Sequence, residues 1–400
     1  MIMEIESRDN LPSSCPVVLQ AGFRIFFLGA AAYAVLSMAF WLVFYVAGGN
    51  ILIAMPLTVW HGHEMIFGFT MAVVAGFLLT AVMNWTGLPT LSGTPLLVLF
   101  LLWAAARVLA FMPAFVPTWP MALCDSAFLV FLSVAVMRPI IAARQWRQSA
   151  VFSKLILILF SGIVFYGALF YADLEIERKA LRFAVYMIVS LLFTISRRIL
   201  PFFIERGVGY PVTLRNSRIL DLASVVFLIA LAIIDVFWNF PFIVAVLCAL
   251  LVVAHTLRLA GWYTPGIWRK PLLWILFAGY VFLITGFLLK MPAAIYHRLA
   301  DSALHAFTAG GIGIFTLGMM ARVSWGHTGR NIAEAPRQLP LIFVPLTAGA
   351  VIRVFSPIFD ESKYVLWIGV SQVLWMVAFG LYLFFYFRIL VSPRPDAKWG

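Results

Sequence analysis

Long apolar runs, broken at short intervals by charged residues, prolines and glycines, recur along the whole chain. Each run is near the roughly 20 residues that an α-helix needs to cross a bilayer. Hydrocarbon offers no partner to backbone N–H and C=O groups, so such runs can cross lipid only as helices or closed barrels. Runs this long and continuously apolar specify helices, because barrel strands are shorter and alternate. Of the 400 residues only 11% are charged, against about 25% in a soluble domain. The expected fold is therefore all-α, a polytopic transmembrane bundle of about twelve spans.

The spans are expected near 22–46, 58–82, 95–112, 119–137, 151–171, 181–196, 218–237, 240–256, 271–289, 300–321, 339–355 and 363–390. Short connections make neighbouring helices antiparallel. This divides the chain into a short N-terminal segment, 1–21, a membrane domain, 22–390, and a short tail, 391–400. With both termini on one side, that side holds 20 of the 28 Lys and Arg residues. Its main clusters are Arg138, Arg144, Arg147 and Lys154, then Arg197, Arg198, Arg206, Arg215 and Arg218, then Arg258, Arg269 and Lys270, and finally Arg322, Arg330 and Arg337. Basic residues stay on the cytoplasmic side, so both termini are expected in the cytoplasm. This asymmetry accounts for the net charge of +12, and nucleic acid is not an expected partner. Cys15, Cys124 and Cys248 are far apart and form neither CxxC nor CxxCH, so any metal must rely on other ligands.

Orientation gives each ionisable residue a depth. His61, His63 and Glu64, in "WHGHEMIFGF", open the second span on its outer side. His305 begins "HAFTAGGIGIFTLGMM", one turn into the tenth span and also outer, with Asp301 at i−4. Arg107, Asp125 and Asp235 fall in the outer halves of other spans, and His297 in the loop before the tenth. Ionisable groups inside a membrane are costly and face partners or water. In a continuous helix His61 and His63 are about 200° apart and cannot face one ion. They converge only if Gly62 bends the chain before the helix begins; otherwise His61 and Glu64, at i and i+3, share a face. The competing reading is a solvated helix entrance. Asp301 is placed to accept the second ring proton of His305 and fix its tautomer for a metal, or the two simply satisfy each other. Gly310 and Gly311 permit either close helix packing or approach of a planar cofactor. The second and tenth spans also match in pattern: glycines follow His63 at +5 and +13 (Gly68, Gly76) and His305 at +5 and +13 (Gly310, Gly318). That match is either a repeat or a coincidence of Gly-containing spans. On the inner side, His255, His327, Arg330, Arg197 and Arg198 form a possible second site.

Together, "WHGHEMIFGFTMAVVAGFLLTAVMNWTG", "RRILPFF", "HAFTAGGIGIFTLGMMARV" and "GHTGR" resemble the NnrS family over nearly the whole chain. The resemblance implies a bacterial inner-membrane protein that contains haem and copper and is linked to nitric oxide, denitrification and resistance to nitrosative stress. Topology, which puts them together on the outer side, makes His61, His63 and His305, supported by Glu64 and Asp301, the candidate ligands of the metal site. Gly310, Gly311 and Arg107 are then candidates for contact with the cofactor. Haem-copper oxidases and nitric oxide reductases also use histidines in twelve spans, but neither HH nor HP occurs here. Twelve spans with polar groups near one mouth equally suit a secondary transporter of copper, haem or a nitrosyl-iron complex.

Overall fold

The computed structural model describes residues 15–48, 53–238, 240–296 and 299–396, so His297 lies outside the described residues. Twelve long helices occupy the twelve expected places: α1 Gly22–Ala47, α2 Leu57–Thr86, α3 Gly93–Leu109, α4 Trp119–Ala142, α5 Ser149–Phe170, α6 Leu174–Gly207, α7 Arg218–Trp238, α8 Pro241–Gly261, α9 Pro271–Tyr296, α10 Ala300–His327, α11 Leu339–Phe359 and α12 Tyr364–Val391. Eleven are long and apolar enough to cross a membrane; α3, with 17 residues, is shorter. The chain is a multi-pass helical membrane protein.

Every fourth helix starting from α2 is central. The apolar windows of α2, α10 and α6 are 89%, 78% and 67% buried, against 33–61% for the other spans. These three helices also touch one another. The remaining helices surround them, so three successive four-helix units each contribute their second helix to the core. Ionisable groups on a central helix therefore face protein rather than lipid.

Close approach on this scaffold depends on small residues. A Cβ on Gly68 or Gly76 of α2 would meet Tyr33 at 2.6 Å or Phe27 at 2.8 Å, both on α1. A Cβ on Gly310 or Gly318 of α10 would meet Phe282 at 2.3 Å or Ile275 at 2.8 Å, both on α9. The +5 and +13 glycines thus do the same work twice. α10 lies against α9 as α2 lies against α1, and the spacing seen in the sequence has a structural counterpart.

The two helices share a second feature. Each leaves α-geometry for a π-helical stretch immediately after its histidine, at Glu64–Thr70 after His63 and at Ala306–Gly313 after His305. A third such stretch, Ile234–Trp238, ends α7. A π segment adds a residue to the turn and re-aims the side chains beyond it, and such segments gather at functional sites.

Gly310→Ala is expected to lower the apparent melting temperature in detergent, because the methyl group displaces Phe282; overpacking of this kind costs about 1–3 kcal/mol. Gly380→Ala, whose Cβ meets nothing within 4 Å, carries the same gain in helix propensity without the clash, and its melting temperature should not fall. Equal stability of the two variants would contradict this packing.

Candidate functional site

The groups at the histidine end of the bundle divide into three polar clusters, each beside one π segment. The first centres on Arg107 of α3. Its Nη1 donates to Glu64 Oε2 at 2.6 Å, and its Nη2 donates to both oxygens of Asp125 on α4. Tyr33 of α1 donates to the same Glu64 oxygen, and Tyr166 of α5 donates to Asp125 Oδ2 at 2.5 Å. His63 completes the cluster, with Nδ1 2.7 Å from Glu64 Oε1 and Nε2 3.6 Å from Asp125 Oδ2. His63, Glu64, Arg107 and Asp125 are all at least 97% buried. Gly68 makes this possible, because a side chain there would stand 2.9 Å from the Arg107 guanidinium. Nδ1 of His63 hydrogen-bonds to Glu64, while its Nε2 stands near Asp125 without a hydrogen bond.

The second cluster contains His61 and His305. Residues 57–63 are α-helical and Gly62 lies within them, so the chain does not bend there and the two histidines of α2 diverge. His63 packs on Phe165 and Phe67. His61 stacks on Trp41 of α1, with ring centroids 4.7 Å apart and planes at 13°. Glu64 accordingly shares a face with Arg107, not with His61. His61 lies within electrostatic range of His305, and Arg353 of α11 acts on both. Nδ1 of His305 is 2.8 Å from the Asp301 carbonyl oxygen, and Nε2 is 3.2 Å from Arg353 Nη2. A carbonyl only accepts and a guanidinium only donates. The proton of His305 therefore sits on Nδ1, and Nε2 presents a lone pair. The backbone carbonyl of Asp301, not its carboxylate, orients the ring; the carboxylate is exposed and accepts from Tyr364.

The third cluster joins α6, α7 and α9. Lys290 Nζ lies 2.7 Å from Asp235 Oδ1, and Tyr186 donates to Asp235 Oδ2 at 2.8 Å.

For metal binding the second cluster has the better-suited donors. Nδ1 of His61 is buried with no partner, and Nε2 of His305 faces only a cation. This is the form in which imidazole binds haem iron or copper. Among the described residues no group of three or more His, Cys, Asp or Glu is arranged to hold a metal, so a metal here would take at most these two imidazoles from the chain. Gly310 and Gly311 are filled by Phe282 and Leu283 of α9. They serve close helix packing, and a planar group on that face requires those side chains to move. Both terminal nitrogens of Arg107 are taken up by acids, and its buried Nε has no partner.

At the other end the five residues read as one site lie in three places. His255 and Arg197 belong together through Arg258: Arg258 Nη1 is 3.3 Å from His255 Nδ1, and Asp221 receives both Arg197 and Arg258. Because Tyr280 and Arg258 both reach Nδ1 of His255, its proton falls on the buried Nε2, the reverse of His305. Arg198 turns away to Gln148 and the carbonyl of Arg147. His327 lies against Phe23, and Arg330 binds Thr328 beside Trp325.

Several participants were not singled out from the sequence. Arg353 carries the same signal as Arg107, a charge inside an apolar run. Tyr33, Tyr166, Tyr186 and Trp41 carry none, since aromatic residues are ordinary filler in such spans.

These features define a polytopic α-helical membrane protein with buried imidazoles and ion pairs gathered at one end of its central helices. Residues 17–394 match the family described as NnrS protein. The chain belongs to the NnrS family. A search of curated proteins found no match.

Replacing Arg107 by Met strands Glu64 and Asp125 together without their counter-charge; losing one partner of a buried pair costs about 3–5 kcal/mol. Tyr166→Phe removes one hydrogen bond and should cost about 1–3 kcal/mol, as for a buried acceptor left with fewer donors. The expected order, measured as folded yield and thermal unfolding in detergent, is wild type, then Tyr166→Phe, then Arg107→Met far below both.

Proposed function

We propose that this protein binds haem and copper in the bacterial inner membrane and acts in nitric oxide metabolism or defence against nitrosative stress, with His61 and His305 as metal ligands. The observation that carries the reading is the state of these two imidazoles on separate central helices, one with a buried nitrogen that has no partner and the other with its tautomer set by a backbone carbonyl. Membership of the NnrS family supports the identity of the metals and of the small-molecule partner. The charge asymmetry supports an orientation in which the histidine end faces the periplasm and both termini face the cytoplasm.

A bound metal at this place supplies the orbital that takes nitric oxide as a ligand. The residues of the chain do the rest. The Asp301 carbonyl holds the His305 ring by Nδ1, keeping Nε2 unprotonated. The Trp41 face holds the His61 ring flat. Nη1 of Arg353 is buried without a hydrogen-bond partner, which leaves a charged donor for any anionic group that enters beside the imidazoles. Nitric oxide is small and apolar and reaches such a site through the lipid. The first cluster, closed on itself by its own acids, sets the angle of α2 rather than holding the metal.

The test is metal analysis together with the absorption spectrum of the purified protein. Wild type should carry haem with a Soret band that shifts on addition of nitric oxide. His61→Ala and His305→Ala should each lower the content of one metal at least about tenfold, equivalent to about 1.4 kcal/mol per decade of affinity. His327→Ala should leave both metals in place. Folded wild-type protein free of haem and copper, especially if it moved substrate in proteoliposomes, would remove the proposal in favour of transport. Full metal content in both variants would remove the ligand assignment alone.

A further inference from the structure

At the arginine-rich end, a cavity of about 460 Å³ opens between the end of α6, the start of α7 and the end of α8. Its charged lining is Arg197, Arg215 and Arg258 against the single carboxylate of Asp221. Asp221 is already shared, accepting from Arg197 Nε at 2.9 Å and from Arg258 Nη2 at 3.1 Å. Arg258 is 94% buried, and its Nε has no partner. Arg215 is exposed and its side chain makes no ion pair or hydrogen bond among the described residues. Within the lining one carboxylate faces three guanidinium groups, an excess of positive charge that Glu205, whose carboxylate accepts from Leu214 N at 3.3 Å, offsets only in part.

Backbone donors point the same way. The first residue of α7 is Arg218, and its N-cap Ser217, which also lines the cavity, accepts from Leu220 N. The earlier N–H groups of that first turn have no intrahelical acceptor and add partial positive charge. Guanidinium groups lining a concave space beside a helix start are the donors that recognise a phosphate oxyanion.

The surroundings say where such a phosphate comes from. Leu222, Val226 and Ile229 form an exposed stripe on α7, and Leu257, Val253 and Leu250 form one on α8. Both stripes start at the cavity, which Leu257 itself lines, and run along the two packed helices toward the opposite end. An apolar track leading away from a cationic pocket is complementary to a molecule with a phosphate at one end and an acyl chain at the other. A zwitterionic headgroup would bring its own cation into a field that is already positive.

We propose that this cavity binds the phosphate of an anionic phospholipid from the leaflet at the arginine-rich end. The proposal is independent of metal binding at the other end.

The full-length protein in detergent is examined by native mass spectrometry with dioleoylphosphatidylglycerol, dioleoylphosphatidylcholine or inorganic phosphate. Phosphatidylglycerol is expected to bind at least about tenfold more tightly than phosphatidylcholine, a difference of about 1.4 kcal/mol. Arg215→Ala should weaken its binding about tenfold while leaving the melting temperature and metal content unchanged. Arg337→Ala, an exposed charge at the same end but outside the cavity, should have no effect. Equal binding of the two lipids, or equal loss in Arg215→Ala and Arg337→Ala, would overturn the site. Binding of inorganic phosphate without retention of phosphatidylglycerol would overturn the lipid as its occupant.

Discussion

The bridge from Arg107 to Glu64 and Asp125 sets the phase of α2 and, through it, the arrangement of the histidine end. Separated charges inside a bilayer are costly, so both acids must meet the guanidinium, and α2, α3 and α4 are held in the one rotation that allows it. That rotation turns His63 toward α5 and, because two helical steps are about 200°, turns His61 the opposite way, toward α1 and α10. The division between a cluster built on ion pairs and a cluster whose imidazoles meet no carboxylate follows from this one angular constraint.

The same logic operates a second time in the chain. α9, α10 and α11 repeat the relations of α1, α2 and α3: a glycine-faced central helix, a histidine before a π segment, and an arginine from the next helix reaching the start of that segment or the histidine before it. What differs is the acid. Glu64 follows His63 and draws Arg107 to itself, whereas Ala306 follows His305, so Arg353 faces the imidazole instead. Arg107 is further held by Asp125, whereas among the described residues Arg353 has no ion pair of that kind.

The inner residues behave in the same manner. Arg197 and Arg198 are adjacent, yet their side chains leave the helix about 100° apart and enter different environments, one on Asp221 and the other on Gln148. His255 is buried and His305 half-buried, and their neighbours place the proton on opposite nitrogens. Composition and spacing see these pairs as equivalent; only the donors and acceptors around each ring tell them apart.

The sequence alone was enough to place all twelve helices, because a run of apolar residues in lipid has one backbone solution that satisfies its own hydrogen bonds. It also placed His61, His63, Glu64, Arg107, Asp125 and His305 at one end, since depth along a helix follows from residue number at about 1.5 Å per step. It could not decide which of these meet, because that depends on the rotation of each helix about its axis. Rotation is determined by contacts with other helices: Gly68 admitting Arg107, Gly310 admitting Phe282, the π turns after His63 and His305. Gly62 shows the boundary between the two. Its sequence context allowed either a bend or a helix, and the packing of Trp60, whose indole donates to the Ala110 carbonyl at 2.9 Å, accompanies a helix that begins before it. Depth was written in the chain, and direction was decided only when the helices came together.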